Sequence, residues 1–253
     1  MTPLRVFIGY DPREAVAYHV LVHSIIRHAS HPVSITPLAL RHLSDIYTRA
    51  RDPKQSTEFT YTRFLVPYLS GYEGVSIYLD CDMLARVDLW ELVMAPFPRP
   101  RSHLWGAMEL REPTVWVVKH DYVPRTSTKM DGQAQTAYPR KNWSSLMVFN
   151  NARCRTLTPE YVNTASPAAL HRFAWADGDD EGLAANVGAL PLEWNYLVGE
   201  DNQSKEPPKI VHWTNGGPWL EAYRDAEYAQ EWFDELVLPF SSGPPFSVSV
   251  GVR

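Results

Sequence analysis

Val75-Ser76-Ile77-Tyr78-Leu79-Asp80-Cys81-Asp82 runs from an apolar segment into a pair of carboxylates. The β-branched and aromatic residues of Val75 to Leu79 predict a buried central strand, which leaves Asp80 and Asp82 at its exposed end. Side chains alternate along extended chain, so the two carboxylates share one face while Cys81 points away into packing. Carboxylates held a few ångströms apart repel unless a proton or a cation lies between them. Hard oxygen ligands of this kind suit Mg²⁺ or Mn²⁺, which keep positions open for phosphate oxygens. An Asp-x-Asp triplet also arises as a simple turn or helix cap. Here Met83-Leu84-Ala85 continues without the Gly, Asn or Ser of a tight turn, which favours the metal site.

Upstream, Leu4 to Gly9 reads as a first buried strand and Tyr10 to Glu14 as a turn. A helix follows with Ala15, Tyr18, Val22 and Ile25 at helical spacing, and Val33 to Leu38 is a second strand. A strand, helix, strand unit implies a parallel sheet with a ligand crevice at the carboxyl ends of its strands. Tyr10 and Asp11 then face the same edge as Asp80, where the aromatic face can stack on a base and the acid can accept from a base or ribose. Asp11-Pro12 as a helix cap is the competing reading. Phe59 to Leu69 predicts a helix packed on the sheet until Gly71 ends it. Its Arg63 is a charge among apolar residues, so it needs a partner.

Downstream, Met83 to Val93 reads as irregular, Ala95 to Pro100 as a Pro-rich surface loop and Trp105 to Met108 as a strand. Arg111 to Lys141 is polar and without periodicity, the signature of a long functional loop. Ser145 to Asn150 predicts a strand, Pro167 to Trp175 a helix, Pro191 to Tyr196 a strand or turn, Ile210 to Trp213 the last strand and Gln230 to Leu236 a helix. Residues 1–238 are expected to form one α/β domain, with a mixed, mostly parallel central sheet flanked by helices. Residues 239–253, rich in Ser, Gly and Pro, are expected as a loosely held tail.

The 253 residues allow a substantial single core, and 45% hydrophobic with 21% charged residues excludes disordered and fibrous classes. A net charge of -5 gives no basic field for nucleic acid. Cys81 and Cys154 have no metal-type spacing and cannot build a disulfide framework, which suits a reducing cytoplasm. No signal-peptide pattern opens the chain, and no apolar run approaches the roughly 18 to 20 residues of a membrane span. A soluble protein is expected, compatible with peripheral membrane contact.

From Arg5 to Trp219 the chain resembles glycosyltransferases of GT-A (Rossmann-like) fold, most closely those of family 8. Arg5-Val6-Phe7-Ile8-Gly9-Tyr10-Asp11 is similar to the family's first strand and nucleotide loop, followed by a helix ending in Ser24-Ile25. Tyr61 to Pro67 resembles its Tyr-x-Arg-Leu helix, Ser76 to Leu84 its Asp-x-Asp strand, and Asp88 to Leu92 its Asp-Leu-x-x-Leu. Ser144 to Asn150 occupies the place of its Asn-Ala-Gly strand, Asp179 to Leu183 that of its acidic segment, and Glu193-Trp194-Asn195 that of its Trp-Asn. Lys209 to Trp213, with Gly217-Pro218-Trp219 after it, resembles the closing His and Lys-Pro-Trp.

The resemblance implies an ion, Mn²⁺ or Mg²⁺, held by Asp80, Asp82 and His212, and a neutral imidazole is a fitting third ligand beside two carboxylates. It implies donor binding by Gly9, Tyr10, Asp11, Arg63, Asp80 and Cys81, and also by Asn142, Gly216, Gly217 and Trp219. For Arg63 a structural salt bridge, to Asp80 itself, is the rival. Asp180, with Asp179 beside it, takes the catalytic position on the sugar face, although such an acidic cluster is otherwise a solvated turn. The expected partners are a nucleotide-sugar donor, a UDP-sugar, and a carbohydrate or other hydroxyl acceptor, with transfer retaining configuration. Trp116, Tyr122 and Tyr138 are offered to acceptor sugar rings, or else pack on their own domain.

Two departures stand out. Trp143-Ser144-Ser145, with Asn142 one place earlier, replaces Asn-Ala-Gly, and Gly217 replaces a phosphate-binding Lys. Arg140, Lys141 or Lys209 are the cations available to substitute. The missing Lys supports an alternative, a non-catalytic sugar-nucleotide or glycan-binding protein. A nucleotidyltransferase is the weaker rival, because its Gly-rich phosphate loop is absent and Gly9 stands alone.

Overall fold

A computed structural model of the chain describes residues 2–52, 55–94, 113–121, 140–176, 186–200 and 204–241. Strand β1 (Leu4–Tyr10) leads through a 3-10 turn, Pro12–Glu14, into helix α1 (Ala15–His28). Asp11 caps that turn by accepting from the Arg13 amide, and Pro12 occupies a position where its missing N–H costs nothing. Helix α1 buries Tyr18, Leu21 and Ile25 on one face. Strand β2 (Val33–Ala39) then pairs parallel with β1, completing the expected unit.

Strand β3 (Val75–Leu79) flanks β1 on the other side, also parallel, with Ile77, Tyr78 and Leu79 fully buried. The next strand in space is β6 (Leu146–Asn150), which runs antiparallel to β3. Beyond it lie β5 (Val115–Val118), antiparallel to β6, and β7 (Val187–Leu190), parallel to β5. The six-stranded order is β2-β1-β3-β6-β5-β7, with β6 alone running against the rest, so the sheet is mixed and mostly parallel as expected. A second sheet of three strands has the order β4-β9-β8: β4 (Met83–Ala85), β9 (Ile210–His212) and β8 (Tyr196–Leu197).

Several sequence expectations are corrected. Phe59 to Leu69 is not one helix but a 3-10 turn, Thr62–Leu65, and a short helix α2 (Val66–Leu69). Pro67 explains the break: its ring excludes the carbonyl four residues earlier, so α-helix cannot run through Arg63. Met83 to Val93 is regular after all, holding β4 and a short helix α3 (Trp90–Met94). β4 is too short to show alternation and is defined by its partner β9. The long loop expected over Arg111 to Lys141 contains β5, whose Val-Trp-Val-Val is buried on both faces and so shows no period. Trp116 is accordingly core, 4% exposed, and is no acceptor-side aromatic.

Helix α4 (Pro159–Thr164), capped by Thr158, and β7 were not anticipated. Helix α5 (Pro167–His171) ends well short of Trp175, and two residues after its end Phe173 adopts φ 63°. Pro191 to Tyr196 resolves into a 3-10 turn, Leu192–Asn195, and the start of β8. The C-terminal helix spans Ala229–Ser241, past Leu236 and past the domain end expected at 238. The strand placed at Trp105 to Met108, the loop Ala95 to Pro100, Tyr122, Tyr138, Asp179, Asp180 and the tail beyond 241 lie outside the described residues. No helix among the described residues is long and apolar enough to cross a membrane.

The main core lies along the large sheet. A second cluster, Val20, Leu84, Val211, Trp213 and Trp232, joins α1, the small sheet and the C-terminal helix. Between β5 and β7 the packing leaves no slack: a Cβ at Gly188 would overlap the Trp116 indole. Gly188→Ala is therefore expected to destabilise the fold by about 1–3 kcal/mol. A urea denaturation midpoint equal to wild type would disprove this packing role for Trp116.

Candidate metal and donor site

The carboxyl ends of β1 and β3 bring Tyr10 and Asp11 to the same edge as Asp80. At Asp80-Cys81-Asp82 the chain leaves the large sheet for the small one. The Asp80 amide still donates to Ser145 O (2.9 Å), while Trp213 N already donates to Asp82 O (3.0 Å). Met83 then pairs with His212 across β4 and β9. This crossing sets the His212 ring opposite the carboxylate pair, with Nε2 3.3 Å from Asp82 Oδ1. One ligand atom each from Asp80, Asp82 and His212 lie within 4.8 Å of one another. Two carboxylate oxygens and an imidazole converging at that spacing fit a divalent cation such as Mg²⁺ or Mn²⁺.

Asp80 is held in place from behind. Tyr78 Oη donates to its Oδ1 at 2.6 Å, and Arg63 Nη1 lies 3.0 Å from the same oxygen. Arg63 also donates from Nη1 to Ser144 O (2.9 Å) and from Nε to Phe59 O (3.3 Å), and it lies against the Phe59 and Tyr78 rings. The structure thus brings Arg63 to Asp80, as its rival reading expected. Burial pushes the Asp80 carboxyl up against the pull of Arg63, and Asp82 adds to the rise.

Asp11 is 1% exposed and engaged at both oxygens. Oδ1 accepts from Arg13 N and Nε, each at 3.0 Å, and Oδ2 from Arg13 Nη2 (2.8 Å) and the Glu58 amide (3.2 Å). Burial raises this carboxyl, but the bonds from Arg13 and Glu58 outweigh that and hold it low. Its capping role is therefore present in full. Tyr10 is half-buried and meets Tyr18 edge-on. Gly9 has a packing reason, since a Cβ there would lie 2.5 Å from Phe59 Cγ and 2.7 Å from Tyr78 Oη.

Asn142 adopts a left-handed conformation, φ 62°, and its Oδ1 accepts from Thr214 Oγ1 at 3.5 Å, which brings it beside the strand end that carries His212. Gly216 and Gly217 make room for rings: a Cβ on Gly216 would lie 2.6 Å from Tyr223, and one on Gly217 would overlap Trp219. Trp219 meets Trp213 edge-on and Trp232 at a tilt and packs against the second core cluster, so its ring faces packing. Of the three substitute cations, Lys209 opens the turn into β9, pairs with Glu91 (2.8 Å) and covers Trp194. Arg140 donates to Arg172 O, and Lys141 is 4% exposed.

Three further residues belong to the site: Glu14 and His120 carry no signal in the sequence, and Asn195 is met there only within the Trp-Asn resemblance. Asn195 Oδ1 lies 2.9 Å from His212 Nδ1. His120, at the end of β5, is held neutral: burial, then the neighbouring His212, pushes it down to about 3. Glu14, 3% exposed, lies behind the triplet, where Cys81 Sγ donates to its Oε2 at 3.6 Å. Burial, then Asp82 and Asp11, raises the Glu14 carboxyl to about 8.

Two measurements test these electrostatics. Folded Glu14 keeps its proton to about pH 8 and unfolded Glu14 releases it near 4.5, so its contribution to stability is full below 4.5 and is lost as pH rises towards 8. Metal-free wild type should lose stability relative to Glu14→Gln by on the order of 1 kcal/mol per pH unit between about pH 5 and pH 8. Parallel pH profiles for the two proteins would refute that origin. Arg63→Met leaves Asp80 without its guanidinium and should cost about 3 kcal/mol or more. Adding Asp80→Asn should restore part of the loss, and strict additivity in chemical denaturation would deny the coupling.

No family model matches the chain. Protein CDI of Arabidopsis thaliana is 42% identical over 242 residues, covering 92% of this chain and 86% of that relative. Similar solved structures include the bifunctional glycosyltransferase WbbM, at 20% identity and TM-score 0.56, covering 94% of this chain and 50% of that one. GlyE of Streptococcus pneumoniae TIGR4, a glycosyltransferase, has 14% identity and TM-score 0.54, covering 94% and 61%. The galactosyltransferase LgtC, solved with donor and acceptor sugar analogues, has 12% identity and TM-score 0.56, covering 96% and 98%. The chain thus spans only half of WbbM and 61% of GlyE, but nearly all of LgtC. At such identities the likeness is one of fold. The chain therefore belongs to the family of Protein CDI, and its fold is that of the GT-A glycosyltransferases.

Proposed function

We propose that the chain is a metal-dependent glycosyltransferase of the family 8 type, moving a sugar from a UDP-sugar to an acceptor hydroxyl with retention of configuration. The observation that carries this reading is the convergence of Asp80, Asp82 and His212 within 4.8 Å at the strand ends of a GT-A fold. LgtC, covered over 98% of its length, was solved with donor and acceptor sugar analogues, which supports a donor crevice at the same edge. An Mn²⁺ or Mg²⁺ ion bound there would supply positive charge to the departing diphosphate.

The chain's own residues do the rest. Arg63 and Tyr78 fix the Asp80 carboxylate, and Tyr10 offers a half-exposed aromatic face to the base. By the sequence resemblance, Asp180, with Asp179, takes the role of the acid that stabilises developing positive charge on the sugar. Lys141, next to the Asn142 that touches Thr214, takes the place of the family's phosphate-binding Lys. A reducing cytoplasm suits the two free, buried thiols, Cys81 and Cys154. One observation favours a non-catalytic sugar-nucleotide binder instead: Trp219 fills the space at Gly217, so no Lys side chain fits there without displacing it.

Purified protein should release UDP from one member of a UDP-sugar panel only when Mn²⁺ or Mg²⁺ is present. Asp82→Asn should reduce that rate roughly 100-fold or more, as expected for losing several kcal/mol of charge stabilisation. Equal turnover by folded Asp82→Asn would sink the mechanism. Tight UDP binding by calorimetry without turnover on any acceptor would favour the binder.

A further inference from the structure

The hydrogen bonds around His212 have a direction that can be read without seeing a hydrogen. Ser145 Oγ lies 2.6 Å from the carbonyl oxygen of Asn142, which can only accept, so the Ser145 hydroxyl proton is committed there. The Ser145 lone pair is then what faces the Asn195 side chain at 2.9 Å, and only the amide NH₂ can donate to it. That orientation points Asn195 Oδ1, an acceptor, at His212 Nδ1 at 2.9 Å. Nδ1 must therefore carry a proton. Flipping the Asn195 amide would require Ser145 to abandon its 2.6 Å bond to Asn142 O, a part-buried carbonyl.

We infer that the Asn142–Ser145–Asn195 chain locks the His212 proton on Nδ1, so that Nε2 presents its lone pair beside Asp82 as a ready-made metal ligand. Asn195 and Ser145 are positioning residues: neither lies among the three ligands, and both act through the imidazole. Nε2 is the nitrogen 3.3 Å from Asp82 Oδ1, and Asn195 is fully buried, so the ring and its support are held in a dry, fixed setting. The chain starts at the left-handed turn of Asn142, whose side chain reaches Thr214, two residues beyond His212. The loop that carries Lys141 and the strand end that carries the ligand are thereby tied into one circuit. This role rests on the metal reading above, whereas the position of the proton does not.

The test uses full-length, metal-free protein with ¹⁵N-labelled histidine, at a pH alkaline enough that one ring proton remains. Long-range ¹H–¹⁵N correlation should show His212 as the Nδ1–H form, and an Nε2–H form would overturn the proposal. Mn²⁺ affinity is then measured by calorimetry. Asn195→Leu should raise Kd on the order of 10- to 100-fold, whereas Asn195→Asp, whose carboxylate can only accept, should keep the Nδ1–H form and bind within a few-fold of wild type. Unchanged affinity in folded Asn195→Leu would overturn the positioning role. Should that variant not fold, Asn195→Asp decides alone, because loss of its Nδ1–H form refutes the lock. Nδ1–H in wild type with no Mn²⁺ binding would uphold the lock and defeat the metal reading instead.

Discussion

Four carboxyl groups, Asp11, Glu14, Asp80 and Asp82, gather where β1 and β3 end, and their mutual repulsion in a poorly hydrated setting is the constraint around which the site is built. Each is relieved by a different device. Asp11 receives the Arg13 guanidinium and two backbone amides. Asp80 receives Arg63 and the Tyr78 hydroxyl. Glu14 is kept protonated. Asp82 faces the His212 imidazole across 3.3 Å, and there the geometry accommodates a cation. A fold that merely needed to be stable would replace such groups with apolar ones, since buried charge seldom improves stability over hydrophobic packing.

Arg63 shows why the structural and functional readings of a residue need not compete. Its pairing with Asp80 satisfies a charge carried on an apolar segment, which is the bland account. The same pairing, with the bond to Ser144 O, fixes one oxygen of the triplet to the main chain of a neighbouring turn. Rigid placement of a ligand oxygen lowers the entropy cost of binding whatever the triplet holds. Asp11 is the converse case. The cap expected from Asp11-Pro12 takes one bond, from the Arg13 amide, while the Arg13 guanidinium and the Glu58 amide occupy the rest of the carboxylate, and the Tyr10 ring is the part of that loop left half-exposed.

What could be read from the sequence was what local chemistry encodes. β3 and its acidic end, β1 with α1 and β2, and β6 and β9 carry runs of β-branched residues or helical spacing, and they stand where the residues predicted. His212 and Asp82 came together because an ordered series of motifs implied it, and the pairing of Met83 with His212 supplies the reason. β4, β5 and β7 were not read: strands of three or four residues are too short for periodicity and owe their existence to partners far along the chain, and β9, equally short, was legible only through its Ile210-Val211 pair and the motif around His212. Trp116 misled for the same reason: an aromatic in an apparent loop is ambiguous until its strand is paired. Glu14 and His120 carry no local signal either, and the Trp-Asn resemblance named Asn195 without its partner, since their roles depend on burial and on neighbours brought by tertiary structure.

Gly217 has a packing reason of its own. Trp219 lies across Gly217 and packs edge-on to Trp213 and tilted against Trp232, so that turn joins the small sheet to the C-terminal helix. A lysine there would have to displace an indole that anchors the second core cluster. The turn over 140–145, for its part, meets Thr214 through Asn142. That turn already supplies the carbonyl that accepts from Ser145 and the one that accepts from Arg63. A single short segment therefore orients His212 through Ser145 and Asn195, anchors Asp80 through Arg63, and carries Lys141. Asn142, Ser144 and Ser145 thus reach two of the three residues of the candidate metal triad from one turn.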